Sequence, residues 1–228
     1  MKRQKKLITV ACILSMALST SCFASTGEVV CVNGGHNYID QYKLNWCWAA
    51  TGVNIFVGLE NYIPTEPEAR EEKFDFLEDL VEDHVDSVEW LSPENGSYDV
   101  PSGLEDSIMI ANDLIKNYSD YDNLYYKYYQ QRTFSFKRIM SDLEDGAPTA
   151  IQLWPTGKTG SKYKYLHCVL VNGADSMFSD SDDYEVRYYD SAACTNKWVN
   201  YKGLKSGSID AIHNKKYVDS AIYAGDFD

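Results

Sequence analysis

Hydrophobic and polar positions predict a buried helix near the start of the chain. Within Gln41–Gly58, Thr51 and Asn54 are the only strongly polar side chains in the segment that follows Cys47. A helix with so few polar positions is apolar on most sides, so we expect it to lie in the middle of a domain. It should begin near Cys47 and end near Gly58.

An acidic amphipathic helix is predicted next. A capping-box pattern with proline in the first turn, Thr65-Glu66-Pro67-Glu68, precedes apolar residues at helical spacing in an acidic stretch. These residues are Phe74, Leu77, Val81, Val85 and Val88. His84 lies beside this apolar stripe, where a packed or half-exposed histidine is the simplest interpretation.

Two more helices and a tyrosine-rich segment follow. A second capping box at 102–105 predicts a helix to about Lys116, and a helix over Ser135–Asp145 is expected to stop at Gly146. Residues 118–130 contain six tyrosines. An edge strand or a strand linking helices is the favoured interpretation of this segment, and a surface that contacts substrate is the alternative.

After Pro148 the pattern changes to strands rich in β-branched and aromatic residues, with exposed loops such as 157–161 between them. The predicted strands are Thr149–Trp154, Tyr163–Asn172, Tyr184–Asp190, Lys197–Tyr201 and Val218–Tyr223. Helices followed by strands are typical of the α+β class. We therefore predict an α+β protein with a helical half over about 25–147 and a β-rich half over about 148–228.

The first 24 residues predict export. Four basic residues within the first six positions precede an apolar run over 7–18, and Cys22-Phe23-Ala24 resembles a cleavage site. The run is too short to span a bilayer, so we predict a secretory signal peptide over 1–24 and a single secreted domain over 25–228. A lipoprotein is less favoured, because Ser19 stands where a lipobox usually has leucine, and a periplasmic location is a further alternative.

Charge narrows the range of partners. The first 24 residues hold four of the 21 basic residues and none of the 34 acidic ones, so the other 204 residues carry a net charge of −17. This charge argues against nucleic acid or an anionic membrane as a partner. It suits a soluble, secreted protein.

Four cysteines remain beyond the predicted signal peptide, and an exported chain can form disulfides. If His167 faces a cleft, strand alternation turns Cys168 the other way, towards packed core. Cys31–Cys194 is then the favoured disulfide and leaves Cys47 free, with Cys31–Cys168 as an open alternative. No Cys-x-x-Cys or His-x-x-x-His pair is present, so no metal site is predicted.

Cys47 has the setting of a reactive thiol, because the dipole and free N–H groups at a helix N-terminus favour a thiolate. A histidine base is the next requirement. His36 lies in an irregular segment, His84 in the acidic helix and His213 in a polar loop. Only His167 begins an apolar strand after a loop, where a catalytic imidazole would be well positioned.

Two further residues could complete such a site. Asp190 ends the next predicted strand, where its carboxylate could accept a hydrogen bond from the imidazole of His167 and stabilise the imidazolium. Other carboxylates compete for this role, namely Asp175, Asp182 and Asp183. The amide of Gln41 is a suitable second donor to an oxyanion, beside the backbone N–H of Cys47.

These motifs resemble papain-like cysteine peptidases. Gln41 followed by Trp46-Cys47-Trp48-Ala49-Ala50 looks like the active-site helix of that family. The Trp-Cys-Trp-Ala-Ala form is more like its compact bacterial branch, with staphopain-, streptopain- and bacteriocin-leader-peptidase-like enzymes, than papain itself. His167 before a valine-rich strand ending in Asn172-Gly173, and Asp190 after the next strand, match the rest of the pattern.

The resemblance implies that Cys47 is the nucleophile and His167 the general base and acid. It also implies that Asp190 orients the imidazole and that Gln41 lies in the oxyanion hole. The implied fold has a central helix in a helical half, packed on an antiparallel β half, with the cleft between them and no cofactor. The implied function is a secreted cysteine endopeptidase acting on protein or peptide substrates. No long inhibitory propeptide is evident between Ala24 and Gln41, so either the enzyme is secreted without one or a separate inhibitor protein restrains it.

The sequence also departs from the family pattern. Asp190-Ser191-Ala192 stands where papain has Asn followed by Ser-Trp, and the acidic segment 65–90 has no counterpart. Cys47-x-Ala49-Ala50-Thr51, and His167 followed by Gly173-Ala174-Asp175, give a weaker similarity to immunoglobulin-degrading streptococcal endopeptidases. This similarity implies host-protein substrates. Two alternatives stay open: a deamidase, amidase or transglutaminase acting on host or competitor proteins, and a secreted non-catalytic binding module in which Cys47 forms a disulfide.

Overall fold

The computed structural model describes residues 27–32, 37–64, 67, 69–121, 124–130, 134–155, 167–178, 180–206, 210–211 and 214–224. Several sequence predictions fall outside these ranges. They are the signal peptide over 1–24, His36, His213, the loop at 157–161, the first four residues of the predicted strand Tyr163–Asn172 and three residues of the capping box at 65–68.

The described chain contains helices and strands in mixed order. The helices are α1 (Cys47–Glu60), α2 (Arg70–Ser87), α3 (Leu104–Tyr118), α4 (Phe136–Glu144) and α5 (Tyr201–Ser206). The strands are β1 (Val29–Cys31), β2 (Tyr126–Gln130), β3 (Thr149–Pro155), β4 (His167–Asp175), β5 (Glu185–Asp190), β6 (Thr195–Asn200), β7 (Asp210–Ala211) and β8 (Asn214–Ala224). Both kinds of element are present with an antiparallel sheet, so the predicted α+β class is confirmed.

The sheet has the strand order β2-β8-β3-β4-β5-β6, and every pairing in it is antiparallel. The tyrosine-rich segment supplies β2 at one edge, as the sequence predicts. The short strand β1 pairs with the end of β4, and β7 pairs with β8. Strand β4 thus lies inside the sheet, with β3 on one side and β5 on the other.

Helix α1 is the buried helix expected from its composition. Every residue from Cys47 to Gly58 is buried, including the polar Thr51 and Asn54. The helix packs closely on α3, because a Cβ on Gly52 would lie only 2.7 Å from the carbonyl oxygen of Ser107. A larger residue at position 52 would therefore push the two helices apart.

Helix α2 is the predicted acidic amphipathic helix. Its buried residues are Leu77, Val81, His84 and Val85. Phe74 stacks on Trp46, with ring centroids 6.0 Å apart. The acidic helix therefore packs beside the segment that leads into α1, and His84 is a packed histidine.

Apolar clusters cover both faces of the sheet. On β4, Cys168 and Leu170 belong to the cluster that contains α1, whereas Val169 and Val171 belong to the cluster that contains α4. Helix α4 thus lies on the face of the sheet opposite α1. Because β1 and β2 also join the sheet, the helical and β-rich parts are less separate than the sequence suggests.

Two local features differ from the sequence prediction. The register of β4 with β5 skips Asn172, which forms a bulge, and the strand continues to Asp175. The last predicted residue of the fourth strand, Tyr201, instead begins the short helix α5. Within the described residues, no helix combines the length and the apolar character needed to cross a bilayer.

Candidate active site

Cys47 is the first residue of α1, at an N-terminus where no side chain of the first turn or cap neutralises the positive end of the helix dipole. Trp46 precedes the helix without a side-chain cap, and the first turn contains no acidic residue. The N–H groups of the first turn and the helix dipole therefore act on the Cys47 side chain without a competing carboxylate in that turn. The thiol is buried, with 6% of the residue exposed.

The two tryptophans that flank Cys47 fix this segment. The indole nitrogens of Trp46 and Trp48 donate to carbonyl oxygens at the two ends of loop 98–100, over 3.0 and 3.1 Å. Asn45 adds two hydrogen bonds of 2.9 Å to Asp99 in the same loop. Buried indole N–H groups need acceptors, so the Trp-Cys-Trp pattern joins α1 to a loop distant in sequence.

His167 and Asp190 meet because their strands are antiparallel neighbours. His167 begins β4 and Asp190 ends β5, so both residues lie at the same end of the sheet. Nε2 of His167 is 2.9 Å from Oδ1 of Asp190. Asp190 is fully buried, and the backbone N–H of Ala192 also donates to its Oδ1 over 3.0 Å. Burial and the hydrogen bond from Ala192 therefore hold the Asp190 carboxylate in the position from which it orients the His167 ring.

The side chain of His167 also interacts with that of Cys47, and the two groups shift each other's pKa. Because Nε2 is occupied by Asp190, Nδ1 is the ring nitrogen left for the thiol. Cys47, His167 and Asp190 thus form one continuous chain of contacts. Here the structure brings together three of the four residues that sequence analysis selects.

The pKa values of these groups shift in directions that favour an ion pair. The hydrogen bond with Cys168 is the largest influence on the pKa of Cys47, and with the hydrogen bond and charge of His167 it holds this pKa well below its usual value despite burial. Burial alone would lower the pKa of His167, but hydrogen bonds and negative charges from Asp190 and Cys47 raise it to about 9. Burial would raise the pKa of Asp190, yet His167 keeps it below its ordinary value.

Cys168 is a neighbour of the reactive thiol that sequence analysis did not place there. Its interaction with the Cys47 side chain, its burial and the negative charge of Cys47 raise the pKa of Cys168 well above its usual value. Cys168 is buried in the core, as predicted. However, it belongs to the cluster that contains α1 and Cys47, so it does not turn away from the site.

Gln41 is connected to the site through its backbone. Its N–H donates to the carbonyl oxygen of Ser191, the residue after Asp190, over 2.8 Å. Its side-chain nitrogen donates to the carbonyl oxygen of Leu44 over 2.5 Å, within the turn that leads to α1. An amide group carries two N–H hydrogens, so one of them is left for another acceptor.

The competing carboxylates have other partners. Asp175 accepts a hydrogen bond from the backbone N–H of Met177 over 2.8 Å, and Asp182 lies 2.5 Å from Nζ of Lys202. Asp183 is an exposed residue of the 3₁₀ turn Ser181–Asp183. Asp190 is therefore the carboxylate that meets His167.

A second buried histidine–carboxylate pair lies behind α1. Nε2 of His84 is 2.9 Å from Oδ1 of Asp106, and the His84 ring lies 5.4 Å from that of Trp48. Burial would raise the pKa of Asp106, but hydrogen bonds from His84 and Ser102 hold it below its ordinary value. The pairing depends on the packing of α2 against α3, which no local pattern in either helix reveals.

The four described cysteines are free thiols, with Cys31 and Cys194 exposed and the other two buried. The disulfide Cys31–Cys194 and its alternative stay predictions. Among the described residues, no three His, Cys, Asp or Glu side chains converge in a way that could hold a metal ion.

Neither the protein-family models nor the curated proteins compared with this chain give a match. The functional interpretation therefore depends on the geometry of the site and on the short motifs that resemble a known family. Of these, the contact chain from thiol to imidazole to carboxylate carries the most chemical information.

Proposed function

We propose that this chain is a secreted, papain-like cysteine endopeptidase, with Cys47 as nucleophile, His167 as general acid and base, and Asp190 as the group that orients His167. One observation carries the proposal. The thiol of Cys47, at an uncapped helix N-terminus, contacts an imidazole whose far nitrogen lies 2.9 Å from a buried carboxylate. A nucleophile, a base and an orienting group in this order are what acyl transfer requires.

The reaction follows from the charges of the site. The Cys47 thiolate attacks the peptide carbonyl carbon, and the imidazolium of His167 gives its proton to the departing amine. The neutral imidazole then takes a proton from water, which attacks the thioester and releases the acid. Departure of the thiolate then restores the ion pair of Cys47 and His167, so no cofactor is consumed.

Gln41 is the proposed side-chain donor to the oxyanion, together with the backbone N–H of Cys47. Its backbone hydrogen bond to Ser191 and its side-chain hydrogen bond to Leu44 restrict the amide to the vicinity of the α1 N-terminus. A restricted donor is useful because it needs no reorganisation as the charge develops.

The arrangement of the elements supports a papain-like fold. Helix α1 packs against β4 on one face of an antiparallel sheet, and the proposed nucleophile and base stand where these two elements begin. Substrates would bind where the helix N-terminus meets the end of the sheet. The predicted signal peptide supports secretion.

Digestion of an unfolded protein substrate tests the proposal. Wild-type protein should cleave the substrate, and Cys47→Ala should lower the rate roughly a thousandfold or more, because the acyl-enzyme can no longer form. Intact mass and fragment masses of the substrate measure the result. Cys194→Ala is the matched control, since it removes an exposed thiol outside the contact chain and should leave cleavage intact.

Other outcomes separate the alternatives. Cleavage that persists in Cys47→Ala contradicts the proposal. A gain of about one mass unit without chain cleavage would indicate deamidation by the same thiol. Absence of any covalent change in the substrate would favour a binding module.

A further inference from the structure

Two thiols touch at the proposed active site, and the mechanism uses only one of them. Cys47 begins α1, and Cys168 is the second residue of β4. Both belong to the same buried apolar cluster, and each side chain shifts the pKa of the other. Cys168 has no exposed surface, whereas 6% of Cys47 is exposed.

Local packing holds Cys168 at the start of α1. It follows His167 directly on β4 and lies in the buried cluster that contains α1. Ser107 of α3 also influences the pKa of Cys168, and the Ser107 hydroxyl donates to the carbonyl oxygen of Trp48 over 2.8 Å. The second thiol is therefore fixed next to the nucleophile.

We propose that Cys47 and Cys168 form a reversible oxidation site, in which Cys168 closes a disulfide with Cys47 after a peroxide has oxidised the nucleophile. The inference rests on the proposed function only in treating Cys47 as the reactive thiol. It needs no peptide substrate and no hydrolysis.

The chemistry balances with hydrogen peroxide as the oxidant. The Cys47 thiolate attacks one peroxide oxygen, the S–O bond forms as the O–O bond breaks, and the leaving hydroxide takes the proton of His167 to become water. The Cys168 thiol then attacks the sulfur of the Cys47 sulfenic acid. An S–S bond forms, the S–O bond breaks, and the hydroxyl group leaves with the Cys168 proton as water. The two thiols lose two electrons and the peroxide becomes two water molecules.

The positions of the two thiols assign their order of reaction. Cys47 is the thiol with access to solvent and the one that the helix N-terminus and His167 favour as a thiolate, so it meets the oxidant first. Cys168 is shielded from solvent and has Cys47 as its neighbouring sulfur. The disulfide would block hydrolysis and would also keep Cys47 from the irreversible sulfinic acid.

Peptide mapping tests this proposal without ambiguity. Trypsin cuts after Lys43, Arg70, Lys164 and Arg187, so Cys47 and Cys168 fall alone in peptides 44–70 and 165–187. The reduced protein is treated with hydrogen peroxide, its remaining thiols are blocked with N-ethylmaleimide, and it is digested without reduction. We expect the two peptides joined, lighter than their sum by two hydrogens, and separated again by dithiothreitol.

Variants test the role of the second thiol. In Cys168→Ala, Cys47 should proceed to the sulfinic acid, and dithiothreitol should not restore its reaction with N-ethylmaleimide. Cys194→Ala should still give the joined peptides. If Cys168→Ala does not fold, the tryptic peptide map of the oxidised wild-type protein is sufficient to test the proposal.

Two results would overturn the proposal: sulfinic Cys47 together with alkylated Cys168 in the wild type, or Cys47 joined to Cys31 or Cys194 instead. The proposed peptidase activity can fail while the joined peptides form, and the reverse is equally possible. The two claims are therefore distinguishable.

Discussion

Cys47 and His167 are each stabilised in the charged form by the other. A lone thiolate or a lone imidazolium at this depth would be strongly disfavoured, because burial removes the hydration of a charge. Asp190 adds a second negative charge on the far side of the ring, 2.9 Å from Nε2. The imidazolium therefore lies between two anionic groups, which explains why its pKa rises to about 9 although it is buried.

These pKa shifts predict a bell-shaped pH dependence of peptide hydrolysis. Activity should fall at low pH as the Cys47 thiolate takes up a proton, at a pH well below the usual thiol pKa. It should fall again as pH rises through about 9, because His167 then loses the proton that the leaving amine needs. Initial rates of peptide hydrolysis at limiting substrate concentration measure both limbs.

Substitution of the carboxylate checks the cause of the alkaline limb. Asp190→Asn keeps an oxygen that can accept the His167 hydrogen bond but removes the charge, so the limb should move to lower pH. Asp182→Asn removes a carboxylate that pairs with Lys202 at the surface and should leave the limb in place. An alkaline limb that stays near pH 9 in Asp190→Asn would contradict this account of the site.

The residues selected from the sequence were those with a local signature. Cys47 lies at the start of an apolar helix, His167 directly before the apolar run of a predicted strand and Asp190 at a strand end. The hydrophobic pattern alone therefore places each of them beside the apolar part of an element. Cys168 and the His84–Asp106 pair have no such signature. Their positions depend on which face of β4 meets α1 and on how α2 lies relative to α3. Tertiary packing determines both, and no local sequence pattern reports it.

At the scale of elements, one buried asparagine joins α1 to the segment that precedes it. Oδ1 of Asn54 accepts from the N–H of Ile39 over 2.7 Å, and its Nδ2 donates to the carbonyl oxygen of the same residue over 2.9 Å. Ile39 is fully buried and lies two residues before Gln41. Asn54 thus supplies the hydrogen bonds that a neighbouring strand would otherwise supply.

Loss of this pair of bonds should affect both stability and activity. Asn54→Ala leaves a buried N–H and a buried carbonyl group without partners, which should lower the free energy of unfolding by about 2–4 kcal/mol. It should also lower kcat/KM, because the segment that carries Gln41 loses its anchor. Urea unfolding and peptide hydrolysis measure the two effects.

The chain offers a matched control for this substitution. Asn112 makes the same two-bond pairing with the backbone of Tyr126, over 2.8 and 3.2 Å, at the edge strand β2. Asn112→Ala should lower stability and leave kcat/KM unchanged. Equal losses of kcat/KM in both variants would mean that Asn54 acts only through stability.

Elements with a long pattern were predicted well, and short ones were not. The helices α1, α3 and α4 match their predicted ranges to within about two residues, because their apolar spacing persists over most of each helix. Strand β1 has three residues and helix α5 has six, which is too short for a period to be recognised. The bulge at Asn172 depends on the partner strand and leaves no trace in β4 alone.

At the scale of the molecule, the proposed site stands where two rigid elements begin. Helix α1 is enclosed by α2, α3 and the sheet, and β4 lies inside the sheet between apolar clusters on both faces. A nucleophile and a base held by such elements need little rearrangement to react. The helices-then-strands order predicts the class, but it could not predict that α4 covers the far face, because that choice depends on pairing between distant segments.

Trapping of the acyl-enzyme tests the central claim most directly. Wild-type protein mixed with a peptide ester and quenched in acid within the first turnover should carry the acyl group on Cys47, in tryptic peptide 44–70. Cys47→Ala should carry none and should not turn the ester over. Full turnover of the ester by wild-type protein, with no acyl group at Cys47 at any quench time, would contradict the account.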